Sequence, residues 1–262
     1  MSERFDSLDK YYETLENWDM SAKALFWLNA FLSALVFFLD GNKEIKDILI
    51  LVFILTTLGY FLVDTYLSIS LIPGVEEKRR THLLTKSFNV PLDNERTNKY
   101  YNNSLEPSVL KLGAHILENS LNAKKVTHEM VKKERVKVSF FAVIFVVSML
   151  LRTTDLEFIS IIAQTLFAST LIPAWVRLEA LNCKNKEIFK GLKNVFLLWE
   201  KDTAEEKVSA FILDYFVKYE SAKAYCGVKQ STKIHKKFRD DLSEEWEQLK
   251  RDLKIELDKP HK

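Results

Sequence analysis

Thr56, Tyr60, Asp64 and Ser68 recur at steps of four inside a run that is otherwise almost wholly apolar. On a helix this spacing puts all four on one face. An ionisable group in such a run is expensive to bury in hydrocarbon, so it is expected to meet a partner or a water-filled path. Asn29 with Ser33, and Ser160 with Gln164, repeat the i,i+4 polar pairing in two other apolar runs. The chemistry available to these groups is hydrogen bonding between packed helices or the lining of a pore or gate. Thr56, Tyr60, Asp64, Ser68 and Gln164 are the candidate lining residues.

Covalent chemistry has no comparable signal. The sequence contains no HExxH, GxSxG, Walker loop or GxGxxG pattern, and its five histidines lack metal-ligand spacing. His128-Glu129 reads as a solvated helix face, and the abundant carboxylates alternate with lysine as on salt-bridged surface helices. No catalytic residue, metal ligand or resident cofactor is therefore expected, and the chain is not read as an enzyme. A net charge of +2 lacks the basic excess of a nucleic-acid binder. Cys183 and Cys226, both in polar segments, make a disulfide framework unexpected.

The elements that must carry the polar groups are four apolar blocks: 24–39, 48–73, 138–151 and 158–176. A membrane span takes about 20 residues. The second and fourth blocks reach this, and Lys23, Lys137 and Arg152 can snorkel to extend the other two. Short polar links at 40–47 and 152–157 join them in pairs. The expected fold is thus an all-α membrane protein with two transmembrane helical hairpins, four spans in all, and a cytoplasmic helical bundle. Its parts are a cytoplasmic N-terminal helix (1–23), a first hairpin (24–74), a cytoplasmic helical segment (75–137), a second hairpin (138–176) and a cytoplasmic helical C-terminal region (177–262).

Charge sets the orientation. The links hold two and one Lys/Arg, whereas 75–137 holds thirteen against eight acids. The positive-inside rule then places both termini and the central segment in the cytoplasm. The acidic start, with Glu3, Asp6 and Asp9, is unlike a cleaved signal peptide. Pro73 and Pro173 should kink or end their helices at the membrane exit, since proline lacks an N–H. Outside the blocks, apolar stripes predict helices from 75 to 88, from 108 into the third block, from 177 to about 199, from about 204 to 226, and from about 240 to 257.

The string Ser68-Ile69-Ser70-Leu71-Ile72-Pro73-Gly74 followed by Val75-Glu76-Glu77-Lys78, together with Tyr100-Tyr101-Asn102-Asn103 leading to Leu117-Glu118-Asn119-Ser120-Leu121, sits within this paired-hairpin layout. The chain thereby resembles the predicted four-transmembrane pore-forming effectors of bacterial antiphage defence. These accompany SMODS-type nucleotidyltransferases in CBASS-like systems, or cyclases in Pycsar-like systems. The resemblance implies a multi-pass bacterial inner-membrane protein that permeabilises the bilayer when a partner cyclase or nucleotidyltransferase makes a cyclic nucleotide. It carries no ligand residue with it. If such an anion binds, cations must meet its phosphates, and the basic excess of the central segment singles out Arg79, Arg80, His82 and Lys86. Membrane-surface anchoring is the competing role for these four. A homo-oligomer is expected, because four helices enclose too little space for a wide pore. The alternative reading is a membrane-anchored scaffold whose cytoplasmic helices recruit a partner protein.

Overall fold

The computed structural model describes residues 5–38, 43–98, 103–150, 171–199 and 205–255. The described chain is mostly helical. In order come a two-residue strand β1 (Phe5–Asp6), α1 (Asp9–Phe38), α2 (Lys43–Tyr66), a π-helical turn (Leu67–Leu71) and α3 (Ile72–Phe88). Then follow β2 (Thr97–Asn98), α4 (Val109–Leu150), α5 (Leu171–Leu197), α6 (Glu205–Cys226) and α7 (Thr232–Asp252). The link 152–157, most of the fourth block, Ser160, Gln164 and the tyrosine pair Tyr100-Tyr101 lie outside the described residues.

Two compact units share these elements. Unit 1 comprises Met1–Tyr12, Pro73–Val131 and Leu178–Lys262; unit 2 comprises Glu13–Ile72 and Lys132–Arg177. Unit 1 has an ordinary apolar interior. Leu112, Ile116, Leu117 and Leu121 of α4 meet Ile188, Leu192 and Phe196 of α5, Tyr219 and Ala222 of α6, and Leu242, Trp246 and Leu249 of α7. These are the stripes that helical spacing predicts. On α6, however, Cys226 completes the buried face, while Phe211 and Tyr225 stand outside it. Helix α5 approaches α6 closely at Gly191, where a methyl group would overlap the Tyr215 phenol.

Three boundaries differ from expectation, each for a local reason. Pro73 neither ends nor interrupts its helix: helix runs from Lys43 to Phe88, 46 residues. The π-helical turn immediately before Pro73, closed by the Ile72 N–H on the Leu67 carbonyl, shifts the hydrogen-bond register where the proline ring would otherwise crowd the preceding turn. Helix α7 begins at Thr232 rather than near 240, because the Ser231 hydroxyl accepts from the Ile234 N–H at 3.3 Å as an N-cap. Its other end closes with Lys254 in the left-handed region at φ 54°, its N–H on the Arg251 carbonyl and that of Ile255 on the Lys250 carbonyl. Asn89 takes the same conformation after Phe88 and turns the chain into the 89–98 loop.

Unit 2 is built the other way round. Helix α2 buries none of its side chains. Among the described residues, the helix containing it is the one long and apolar enough to cross a membrane.

Candidate functional site: an inverted helix and an ion-paired clamp

Two places concentrate the polar groups singled out above, one in each unit. In unit 2, α2 points its large apolar side chains outward. Leu51, Ile54, Leu55, Leu58, Phe61 and Leu62 are all more than half exposed. The half-buried positions include Thr56, Tyr60, Asp64 and Ser68, so the polar stripe faces inward. The Thr56 hydroxyl lies within hydrogen-bonding distance of Asn29 Oδ1 on α1 and of the Val52 and Phe53 carbonyls. Tyr60 stacks obliquely with Phe26 at 6.5 Å between ring centroids, and Trp18 meets Tyr66 edge-on at 5.3 Å. The arrangement uses polar groups to join α1 to α2 and leaves hydrocarbon on the surface. Such a distribution is unfavourable in water, where burial of apolar area drives packing. It suits lipid, where interhelical hydrogen bonds supply the cohesion. Val136, Phe140, Val143 and Val146 on α4 are likewise exposed.

In unit 1, the candidate cations lie on α3 beside the N-terminal segment and α6. Arg79 Nη2 pairs with Asp6 Oδ2 at 2.8 Å, and the Asp6 side chain is wholly buried. Arg79 Nε also donates to the Tyr12 hydroxyl at 3.4 Å. The Asp6 Oδ1 atom accepts from the Leu8 N–H at 2.9 Å, which starts the turn into α1. Arg80 is more open, 4.0 Å from Glu220. His82 is fully buried, with Nδ1 3.1 Å from Asp93 Oδ1 and Nε2 3.0 Å from the Thr97 hydroxyl. That order of carboxylate, imidazole and hydroxyl is also the order of a hydrolytic relay. Here the ring is sealed, and the bonds tie the 89–98 loop to α3. Lys86 is half-buried on the same face.

The four cations therefore do not converge on one open anion site. Arg79 and His82 are held by carboxylates, and an anion reaching Arg79 must displace Asp6. Sequence spacing could place the four residues on α3, but Asp6 and Asp93, which hold Arg79 and His82, lie 73 and 11 residues away in the chain.

A second layer surrounds this contact. Lys223 Nζ lies 2.8 Å from Glu76 and 2.9 Å from Glu220. Burial works against the Lys223 charge, yet the carboxylates of Glu76 and Glu220 and the Tyr219 phenol hold its pKa well above the ordinary lysine value. Burial raises Glu220, with Glu76 adding repulsion, while Lys223 and Arg80 oppose them. Burial and then the Glu76 charge push the Tyr12 phenol up to about 12, against the pull of Arg79. Tyr12 thus stays a neutral hydrogen-bonding group.

The N-terminal segment is further stitched to the loop. Phe5 and Asp6 pair with Asn98 and Thr97 as antiparallel strands. Glu95 accepts from the Ser7 hydroxyl at 2.5 Å and the Tyr11 hydroxyl at 3.0 Å, and lies 3.4 Å from Lys10 Nζ. Those hydrogen bonds, Ser7 first, hold the Glu95 carboxyl below its usual range. Residues 5–12 are the lead-in to α1, so this cluster clamps the start of that helix.

Sequence spacing did not announce this clamp: its partners are scattered over 5–12, 73–98 and 220–223. The same holds for Thr127, Asn182 and Asn185, which form a buried polar contact between α4 and α5. Among the described residues, no group of His, Cys, Asp and Glu could hold a metal ion. No protein family, characterised protein or solved structure matches the chain.

Proposed function

We propose that the chain is an integral membrane protein of four spans, arranged as two hairpins with both termini in the cytoplasm. We further propose that it permeabilises the bacterial inner membrane in response to a cyclic-nucleotide second messenger in antiviral defence. The observation that carries the membrane part is the inverted face of α2, with hydrocarbon outward and Thr56, Tyr60, Asp64 and Ser68 inward. The second-messenger part rests on the resemblance described above and on the charged helical unit that the same chain carries. Pore formation requires several copies, with the polar stripe of α2 exposed to water in the open state. Opening needs a ligand that binds one state better than the other. The clamp on residues 5–12 offers a place to apply that difference, because α1 starts there.

The test is dye leakage from liposomes holding the pure protein, challenged with a panel of cyclic mono- and oligonucleotides. Leakage with one nucleotide and not its relatives is the expected result. Confirmed insertion without leakage under any nucleotide would remove the effector reading. It would favour a membrane-anchored scaffold, for which the exposed Phe211, Val217 and Tyr225 of α6 provide a docking face; a stable protein partner in pull-downs would then be expected.

A further inference from the structure

Several lysines of unit 1 are closely paired. Lys184 reaches Glu187 at 2.9 Å, Lys218 reaches Asp214 at 2.6 Å, and Lys250 reaches Glu247 at 2.9 Å. Where α4, α5 and α7 meet, the ion pairs are longer. Lys124 and Lys125 of α4 have Glu245 and Glu129 as their carboxylates, each at 3.9 Å. Lys186 and Lys193 of α5, seven residues apart and so on one face, have no carboxylate within ion-pair distance among the described residues. Two phenyl rings hold the ammoniums of Lys124, Lys125 and Lys237 in place. Lys124 Nζ stands 3.9 Å from the centre of Phe189, and Lys125 Nζ and Lys237 Nζ stand 4.5 and 5.2 Å from that of Phe238. Both rings pack against the apolar core of the unit. Lys124 and Lys125 are therefore positioned by a rigid floor while their charges are poorly compensated. Burial, followed by the charges of Lys193, Lys125 and Lys186, lowers the Lys124 pKa against the opposing pull of Glu245.

We propose that Lys124 and Lys125, seated on Phe189 and Phe238, form together with Lys186 and Lys193 a binding site for a phosphate-bearing ligand. A phosphate or phosphodiester anion supplies the acceptors and negative charge that these ammoniums lack. This chemistry is shared by a free nucleotide and by a phospholipid headgroup. Assigning the site to a cyclic nucleotide rests on the function proposed above; the anion site itself does not.

Titration calorimetry of the full-length protein in nanodiscs, with inorganic pyrophosphate as probe, tests it. Saturable binding is expected, weakened roughly tenfold or more by the pair Lys124→Gln and Lys193→Gln. Replacing the exposed Lys207 and Lys233 should leave it unchanged. Glu245→Gln removes a competing carboxylate and should tighten binding about two- to fivefold, a change of opposite sign that misfolding would not produce. Binding in phosphatidylcholine discs that persists when phosphatidylglycerol is added supports a free phosphate compound as occupant. Binding lost to phosphatidylglycerol supports a lipid headgroup. No saturable binding in either disc, or equal losses in the patch and control variants, would overturn the proposal. Leakage is read separately, so pyrophosphate binding without nucleotide-dependent leakage would keep the site and discard the effector function.

Discussion

Lys223 shows how single residues set the energetics of unit 1. Its ammonium is nearly enclosed between Glu76 and Glu220. Breaking a buried pair by removing one partner typically costs about 3–5 kcal/mol, since the remaining charge is stranded. Lys223→Ala leaves two carboxylates facing each other and should lower stability by roughly 3 kcal/mol in chemical denaturation. Loss of less than about 1 kcal/mol would mean the acids are solvated when the lysine is gone. Gly191 is the corresponding steric point. Gly191→Ala forces the Tyr215 ring aside and should cost about 1–3 kcal/mol. Gly113→Ala meets both γ-carbons and the δ-methyl of the buried Ile212 and should cost a similar amount. A cost below about 0.5 kcal/mol at Gly191 would contradict the α5–α6 contact.

At the scale of elements, the clamp and the outward face of α2 make separate predictions. Glu95 has a depressed pKa in the folded protein relative to its ordinary 4.5. Its contribution is therefore present above pH 4.5 and is lost as pH falls through the lower folded value. Hydrogen exchange of residues 7–12 should be slow at neutral pH and accelerate below about pH 4.5, and Glu95→Gln should remove that acid step. Protection that persists unchanged to pH 3 in the parent protein would show that Glu95 is not what holds the segment. For α2, a positive charge at a central lipid-facing position costs about 2.5–3.5 kcal/mol in membrane insertion. Ile54→Arg should reduce membrane insertion of α2 in a glycosylation-mapping assay, and insertion equal to the parent would place that face against protein. Asp64→Asn keeps the shape of a side chain on the inward stripe and removes its charge. Altered conductance with normal insertion would assign Asp64 to the permeation path; unchanged conductance would leave it as helix packing.

At the scale of the whole molecule, one chain contains two opposite solutions to burial. Unit 1 encloses Leu, Ile, Phe and Trp and exposes charge, as a protein in water does. Unit 2 exposes Leu, Ile and Phe on α2 and turns Thr, Tyr and Asp inward. The expectation for the whole chain is co-fractionation with membranes that carbonate washing does not reverse, because a helix such as α2 is held by hydrocarbon rather than by salt-sensitive contacts. Release by carbonate would reduce α2 to a surface association.

Much of this architecture was legible in the sequence because helical periodicity and hydrocarbon length are local properties. Spacing alone marked the α4, α5 and α7 stripes, the apolar run of α2 and the shared face of Thr56, Tyr60, Asp64 and Ser68. A single cap at Ser231 and a π-turn before Pro73 moved boundaries, since one hydrogen bond outweighs a weak propensity. What only the tertiary structure decided was which charges meet. Asp6 on Arg79, Lys223 between Glu76 and Glu220, and Lys124 over Phe189 join residues far apart in the chain, where no periodicity connects them. Their strength comes from burial, and burial exists only once the helices have packed.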